Sequence, residues 1–314
     1  MDELLDKAFS GDTRAIARLL TLLENRDQGY DSALKAIYPG TGGAHLVGVT
    51  GPPGTGKSTL ISSLVTKYLD DGCGIGIVLV DPTSPVTGGS LLGDRIRMKR
   101  LFEERSVFIR SMASRGHPGG IARATRDVVR GMEAVGMEKI FIETVGAGQA
   151  DTAIADVAQT NVFVTMPESG DTVQLMKAGI LEIAHIFVLN KGDLDGADRM
   201  EILLKSLVDS GESTEGWTIP VVRTVATKGE RVDVLASSIE AHYEFLRDSG
   251  FLETLKRRRI EQEILESLIA SLHEYAKEKM DHPAMSATID RIVARREDPV
   301  SAAKRILREL GLQS

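Results

Sequence analysis

An α/β fold with a mostly parallel sheet flanked by helices is predicted by three features of the sequence. Between His45 and about Val225, short β-rich apolar runs alternate with helical stretches. Continuous apolar strands separated by helices mark a parallel sheet covered on both faces, with ligands at the carboxyl ends of the strands. The first such run, HLVGVT, leads into GPPGTGKST and then a helical pattern, the strand, glycine-rich loop and helix order of a P-loop NTPase. After Phe251 the β pattern stops and helical periodicity alone continues. The expected division is an N-terminal helical segment over 1–40, a P-loop domain over 41–250 and a C-terminal helical extension over 251–314. The chain's 314 residues suit one α/β core with helical additions.

Taking the elements in order, Leu5, Ala8 and Phe9, then Ile16, Leu19, Leu20 and Leu23, recur at helical spacing, and Asp12 is placed to cap the second group. Two short helices are expected there. His45 to Thr50 reads as a strand. The loop that follows, Gly51, Pro52, Pro53, Gly54, Thr55, Gly56, Lys57, Ser58 and Thr59, matches G-x-x-x-x-G-K-[ST]. Glycines let successive backbone N–H groups turn toward phosphate oxygens, Lys57 reaches the terminal phosphates, and the Ser58 hydroxyl is placed for Mg²⁺. Leu60, Leu64 and Tyr68, beside Ile61, Val65 and Leu69, continue as a helix until Gly72, which sets a positive helix N-terminus behind the phosphates.

The remaining strand ends carry most of the other candidates. GIGIVLVD finishes at Asp81, KIFIETVG presents Glu143 with Gly146 three residues later, and GDRIRM supplies Asp94 from a loop. Mg²⁺ keeps several waters and takes few carboxylates beside phosphate oxygens, so these acids suit its direct or water-bridged shells; an acid at a strand end can equally cap the next helix. The runs SVFIR and NVFVTM read as further strands. HIFVLN ends in Asn190, Lys191, Gly192 and Asp193, an N-K-x-D pattern. A carboxylate there accepts from the N1–H and exocyclic amine of guanine together, whereas adenine has no such donor pair and would leave the charge unmatched. IPVVRT leads into TVAT, whose Val225, Ala226 and Thr227 would offer backbone N–H groups to the base.

Beyond Phe251, Ile264, Leu268 and Leu272, with Leu265, Ile269 and Ala276, predict a helix to about Met280. EDPVSAAKRILRELG then supplies Asp298 as cap, Pro299 in the first turn and Gly311 as terminator. The run Lys256 to Arg259, followed by Glu261 and Glu263, reads as a solvated helix face or a binding patch.

With 42% hydrophobic and 26% charged residues the composition is that of a soluble globular protein, and a formal net charge of -7 argues against a general nucleic-acid binder. The lone Cys73 has no internal disulfide partner and reads as a buried thiol in a reducing compartment. The acidic N-terminus lacks a signal-peptide pattern and no apolar run reaches membrane-spanning length, so a cytoplasmic protein with no membrane partner is expected. His45, His117, His185, His242, His273 and His282 show no metal-ligand spacing.

GPPGTGKST, VDPTSPVTGGSLLGDRIRM, SRGHPGGIARAT, IETVGAGQAD and VLNKGD together resemble the MeaB/ArgK-type P-loop GTPases, accessory proteins of adenosylcobalamin-dependent acyl-CoA mutases. The resemblance extends over essentially the whole chain, including Glu rather than Asp in the phosphate-side ETVG element; Pro118 in RGHPGG departs from what the pattern leads one to expect. It implies a homodimer, joined through the C-terminal extension, that binds GTP and GDP with Mg²⁺ and gates cofactor loading and protection of a mutase such as methylmalonyl-CoA mutase. An adenosyltransferase would be a further partner. By motif matching, Lys57 and Ser58 serve phosphate and Mg²⁺, Asp81, Asp94 and Glu143 the metal and water shell, and Asp193 the guanine. PESGDTVQLMK matches the family's mobile element, which makes Asp171 and Lys177 candidates for partner-dependent activation; on their own they read equally as surface charges.

Ras-like enzymes place a water-orienting Gln directly after the D-x-x-G glycine, but here Ala147 follows Gly146 and Gln149 comes two residues later. Slow unassisted turnover is therefore expected, which suits a switch. Three rivals remain at this level: a small-molecule kinase or transport ATPase, a nickel metallochaperone GTPase, and a structural adaptor. The first would not need Asp193, the second normally needs a Cys/His cluster, and GTP binding would count against the third.

Overall fold

The computed structural model describes residues 1–81, 98, 101, 104, 106–113, 120–144, 157–167, 181–210, 216–280 and 283–309. They divide into two compact units, Met1–Leu252 and Glu253–Ser314.

In the first unit three helices, α1 (Asp2–Phe9), α2 (Thr13–Asn25) and α3 (Tyr30–Ile37), precede the sheet. The first two match the apolar spacing, and Asp12 caps α2 by accepting from the Ala15 N–H at 2.7 Å. The third was not expected; it starts behind Gly29, whose φ of 96 turns the chain. The strands are β1 (His45–Thr50), β2 (Ile75–Asp81), β3 (Val107–Ala113), β4 (Lys139–Thr144), β5 (Thr160–Thr165), β6 (Ile186–Leu189) and β7 (Val221–Arg223). Between them lie α4 (Lys57–Leu69), α5 (Gly120–Ala134), a short turn of helix at Leu181–Ile183, α6 (Ala197–Ser210) and, after β7, α7 (Val232–Asp248).

The strand order is β3-β2-β4-β1-β5-β6-β7, and every pairing is parallel. From β1 the chain runs outward through β2 and β3, returns to β4 beside β1, then continues on the other side to β5. The order therefore reverses around β1, where a crevice opens at the carboxyl ends of β1, β4 and β5. Successive strand residues face opposite layers. Val78 and Val80 pack with Leu19, Leu20, Val128 and Met132 of α2 and α5. Ile77 and Leu79 pack with Leu60, Leu64, Leu235 and Ile239 of α4 and α7. Burial on both faces is why these strands read as unbroken apolar runs. The N-terminal helices are pinned by the buried carboxylate of Asp127, which accepts from Arg26 Nη2 at 2.6 Å and from the Tyr30 hydroxyl at 3.0 Å. Cys73, expected to be buried, is only partly so and packs against the edge of the core, because it sits in the turn between α4 and β2 rather than in either element.

At the amino ends of the strands, opposite the crevice, a chain of polar groups ties α7 to the sheet. Lys139 Nζ donates to Glu240 Oε1 at 2.6 Å and lies 3.2 Å from His45 Nδ1. His45 Nε2 is 2.8 Å from Thr160 Oγ1, which is 2.9 Å from His242 Nδ1. The Tyr68 hydroxyl also donates to Glu240, Tyr243 stacks on His45, and His185 stacks on His242 beside Trp217. An ammonium only donates, so His45 Nδ1 accepts, its Nε2–H donates to Thr160 Oγ1, and the Thr160 hydroxyl donates to His242 Nδ1. Both rings are therefore neutral. Burial, then the Lys139 charge and then His242, hold the His45 pKa down at about 2. Burial, then His185, hold that of His242 at about 3.

Because both folded values lie below the ordinary 6.5, the unfolded chain takes up protons first as the pH falls. The stability from these rings is complete above about pH 6.5 and is lost progressively toward about pH 3 for His242 and about pH 2 for His45. Between about pH 7 and about pH 5 the loss is on the order of 2 kcal/mol per ring. Thermal unfolding should show a steep fall in midpoint over that interval, and His242→Gln should flatten it by about one proton. An unchanged slope in the variant would place the acid sensitivity elsewhere.

The second unit contains α8 (Phe251–Met280, which begins in the first), α9 (Pro283–Val293) and α10 (Pro299–Glu309). As expected, Asp298 opens the last helix, its Oδ1 accepting from the Val300 and Ser301 N–H groups at 3.0 and 2.9 Å. Glu297 holds Arg291 and Arg305, each at 3.2 Å, which joins α9 to α10. Gly311 lies outside the described residues. On α8, Ile264, Leu265, Leu268 and Ile269 are each 56% or 57% exposed. No helix among the described residues is long and apolar enough to cross a membrane.

Candidate functional site

The glycine-rich loop lies at the carboxyl end of β1, in the crevice where the strand order reverses. Gly51 has a φ of 139, and a side chain there would collide with the Val164 carbonyl of β5. Gly56, at a φ of 91, ends the loop, and a Cβ would come within 2.5 Å of Asn190 Nδ2. Both positions need glycine for conformation and for room. Thr55 Oγ1 donates to the Pro52 carbonyl at 2.9 Å and closes the turn, leaving Pro53 and Gly54 exposed at its tip. Lys57 and Ser58 open α4, with Thr59 partly buried behind them. The loop's backbone thus faces the same space as a helix N-terminus, an arrangement that favours an anion.

Lys57 is buried, and its Nζ donates to the Gly51 and Pro52 carbonyls at 2.8 and 3.1 Å. The ammonium is folded back across its own loop. Ser58 Oγ donates to Glu143 Oε1 at 2.7 Å, and both residues are buried. Glu143 stands near the end of β4, in register with Val49 of β1 and Leu79 of β2. Asp81 ends β2 one position beyond the pairing of Val80 with Thr144; its side chain is not among those described. The structure therefore unites the hydroxyl and the carboxylate that the sequence set 85 residues apart. Asp94, Gly146, Ala147, Gln149, Asp171, Lys177 and Pro118 lie outside the described residues.

On the other side of the loop Asn190, at the end of β6, is buried and makes three links. Its Nδ2 donates to the Thr55 carbonyl at 2.8 Å. Its Oδ1 accepts from the Ala226 N–H at 3.1 Å and the Thr224 hydroxyl at 3.2 Å. One side chain thereby ties the glycine-rich loop to the segments after β6 and β7. Lys191 adopts a left-handed φ of 55, which swings the chain so that the Gly192 N–H donates to the Thr224 carbonyl at 2.9 Å. Arg223 Nε donates to the Gly192 carbonyl at 2.8 Å, and the same guanidinium pairs with Asp198. Sequence reasoning did not single out Arg223; its place at the end of β7 was the available signal. Asp193 follows, exposed, with Lys228 Nζ donating to its Oδ2 at 2.9 Å.

The segment Val225–Thr227 differs in detail from its expectation. The Val225 N–H donates to the Glu230 carbonyl at 3.2 Å and that of Ala226 to Asn190, so both are committed inside the protein. Thr227 is exposed next to them.

Comparison with known proteins adds to this geometry. Residues 16–281 match the family model described as methylmalonyl Co-A mutase-associated GTPase MeaB. A Pyrococcus abyssi chain named as a GTPase is 45% identical over 313 residues, covering 99% of this chain and 97% of that one. The fused isobutyryl-CoA mutase of Geobacillus kaustophilus is 37% identical over 204 residues, 62% of this chain but 19% of its own length. Among solved structures, one described as a LAO/AO transport system kinase superposes with a TM-score of 0.73 and 20% identity, covering 99% of this chain and 97% of that one. That likeness shows the P-loop NTPase fold.

Proposed function

The chain belongs to the MeaB family of methylmalonyl-CoA mutase-associated GTPases, and from that membership we propose that it is a cytoplasmic GTP-dependent switch serving a coenzyme-B12-dependent acyl-CoA mutase. It binds GTP, hydrolyses it slowly to GDP and phosphate, and its nucleotide state gates cofactor loading and protects or reactivates the mutase. An adenosyltransferase would hand over the cofactor.

The observation that carries the nucleotide part is the double tie across the glycine-rich loop. Ser58 meets Glu143 on one side, and Asn190 joins Thr55 to the segment beside Asp193 on the other. These ties support a reading in which phosphate and base are held by one connected frame. In this reading the loop from Gly51 to Thr59 cradles the phosphates, Lys57 leaves its carbonyl partners for the terminal phosphates, and Asp193 and Lys191 flank the guanine. Of the neighbouring backbone donors, Thr227 is best placed to reach the base, since Val225 and Ala226 are committed.

The hydroxyl of Ser58 and the carboxylate of Glu143 form an all-oxygen donor set that suits Mg²⁺, with Asp81 and Asp94 as further acids. When bound, that ion would offset charge on the phosphate oxygens. Asp171 and Lys177 are assigned to activation of this site by a partner.

A mutase partner is supported by the family's description and by the relative named a fused isobutyryl-CoA mutase, part of which resembles this chain. The test is to add purified methylmalonyl-CoA and isobutyryl-CoA mutases separately and measure phosphate release. One of them should raise the rate, and Lys177→Ala should lower the stimulated rate more than the basal one. No stimulation and no co-sedimentation with either would overturn the switch reading.

The exposed apolar stripe of α8 supports a second copy of the chain as its cover. Leu268→Glu with Leu272→Glu should convert a dimer to a monomer in sedimentation, since charges would be buried without partners. A double variant that sediments like the parent would move the interface elsewhere.

A further inference from the structure

Asp193, the carboxylate assigned to guanine, already holds a cation from its own chain. Lys228 Nζ donates to Asp193 Oδ2 at 2.9 Å, from the segment that follows β7. Both side chains are exposed, 54% for Lys228 and 41% for Asp193, so the ammonium is a mobile partner rather than a buried support. The carboxylate itself is held differently. Its loop is tied through Gly192, whose N–H donates to the Thr224 carbonyl and whose carbonyl accepts from Arg223. Arg223 fills the space over Gly192 so closely that a Cβ there would lie 2.5 Å from Arg223 Cγ. The backbone of the reading loop is therefore set before any base arrives, and the Lys228 side chain is free to depart without moving it.

Guanine offers Asp193 two N–H donors in one plane, and these need the carboxylate that Lys228 occupies. We infer that Lys228 is an internal competitor of the guanine base, a specificity-side latch that must release Asp193 before a nucleotide can dock. This inference rests on the assignment of Asp193 to guanine. Each partner stabilises the charge of the other: the Lys228 hydrogen bond lowers the Asp193 pKa, and Asp193 raises that of Lys228. The pair therefore stays ionised at neutral pH.

An exposed pair of this kind leaves the carboxylate available for a fraction of the time, and apparent affinity falls by that fraction. The latch therefore acts on entry of the base, slowing association while leaving dissociation alone. The Lys228→Met variant, which keeps the length and removes the charge, should bind GDP about two- to fivefold tighter, the gain residing in the association rate. The gain should shrink as salt is raised, because the exposed pair is screened. Tripolyphosphate, which has no base, should bind parent and variant alike. In an Asp193→Asn background the Lys228→Met change should leave XDP affinity unaltered, since the amide carries no charge for the ammonium.

Stopped-flow binding of GDP, ADP and tripolyphosphate to the full chain separates the outcomes. A parent that binds ADP as tightly as GDP overturns the guanine assignment itself. A guanine-selective parent whose Lys228→Met variant binds GDP equally or more weakly overturns the latch alone, the weaker case making Lys228 a nucleotide contact. Tripolyphosphate affinity that rises together with GDP affinity also overturns it, by locating the effect on the phosphates.

Discussion

Lys57→Ala should abolish measurable binding of GTP at micromolar concentrations. The side chain is buried at the start of α4, and its Nζ spans the Gly51 and Pro52 carbonyls inside the loop. In the proposed function it is the positive charge that turns to the phosphates, and moving it from carbonyls to phosphates exchanges neutral acceptors for charged ones. Charge-assisted hydrogen bonds contribute about 1.5–3 kcal/mol each, so losing two would weaken GTP about a hundredfold to ten-thousandfold. The truncation also removes the Lys57 donor from the Gly51 carbonyl, while the Pro52 carbonyl keeps the Thr55 hydroxyl, a local cost of about 1–2 kcal/mol that would show as a lower unfolding midpoint. Calorimetric titration and thermal unfolding on the same sample separate the two effects. A variant that retains GTP affinity would remove the loop from the nucleotide site.

The sheet was legible because its inner strands are covered on both faces, which forces unbroken apolar runs such as those of β1 and β6. The loop was legible because its chemistry is local in sequence. What escaped is what only tertiary register creates. His45, Lys139 and Thr160 are 94 and 115 residues apart and meet because β4, β1 and β5 are neighbours. The histidines showed no spacing in the sequence, and the contact of two of them with Thr160 follows from strand order, not from spacing. α3 was missed although Tyr30, Ala33, Leu34 and Ile37 recur at helical spacing and face the core, so its signal was present in the sequence and went unread. Likewise, the sequence presented Val225 and Ala226 as donors to a base, but it could not show that Asn190 and Glu230 already receive those N–H groups. Arg223 read as the polar end of a strand, and only its contact with Gly192 reveals that it holds the loop after β6.

Asp193→Asn should move base preference from guanine to xanthine. Guanine presents N1–H and an exocyclic amine, two donors that a carboxylate accepts; xanthine carries a C2 oxygen in place of the amine, so an amide can accept from N1–H and donate to that oxygen. The change is nearly isosteric, and Asp193 is exposed, so the fold should be indifferent to it. The loop geometry should persist as well, because Arg223 and Thr224 hold Gly192 through backbone atoms that the substitution does not touch. Each unmatched polar group at the covered base costs about 1–3 kcal/mol, so two mismatches should weaken GTP by on the order of a hundredfold while XTP gains. The variant also removes the charge that retains Lys228, which would ease entry of any base; the loss of GTP affinity must therefore come from mismatch rather than from a blocked site. Competitive binding of GTP, XTP and ATP to parent and variant measures the exchange directly. If the variant keeps its preference for GTP, Asp193 does not read the base, and the guanine assignment would then have to rest on family membership alone.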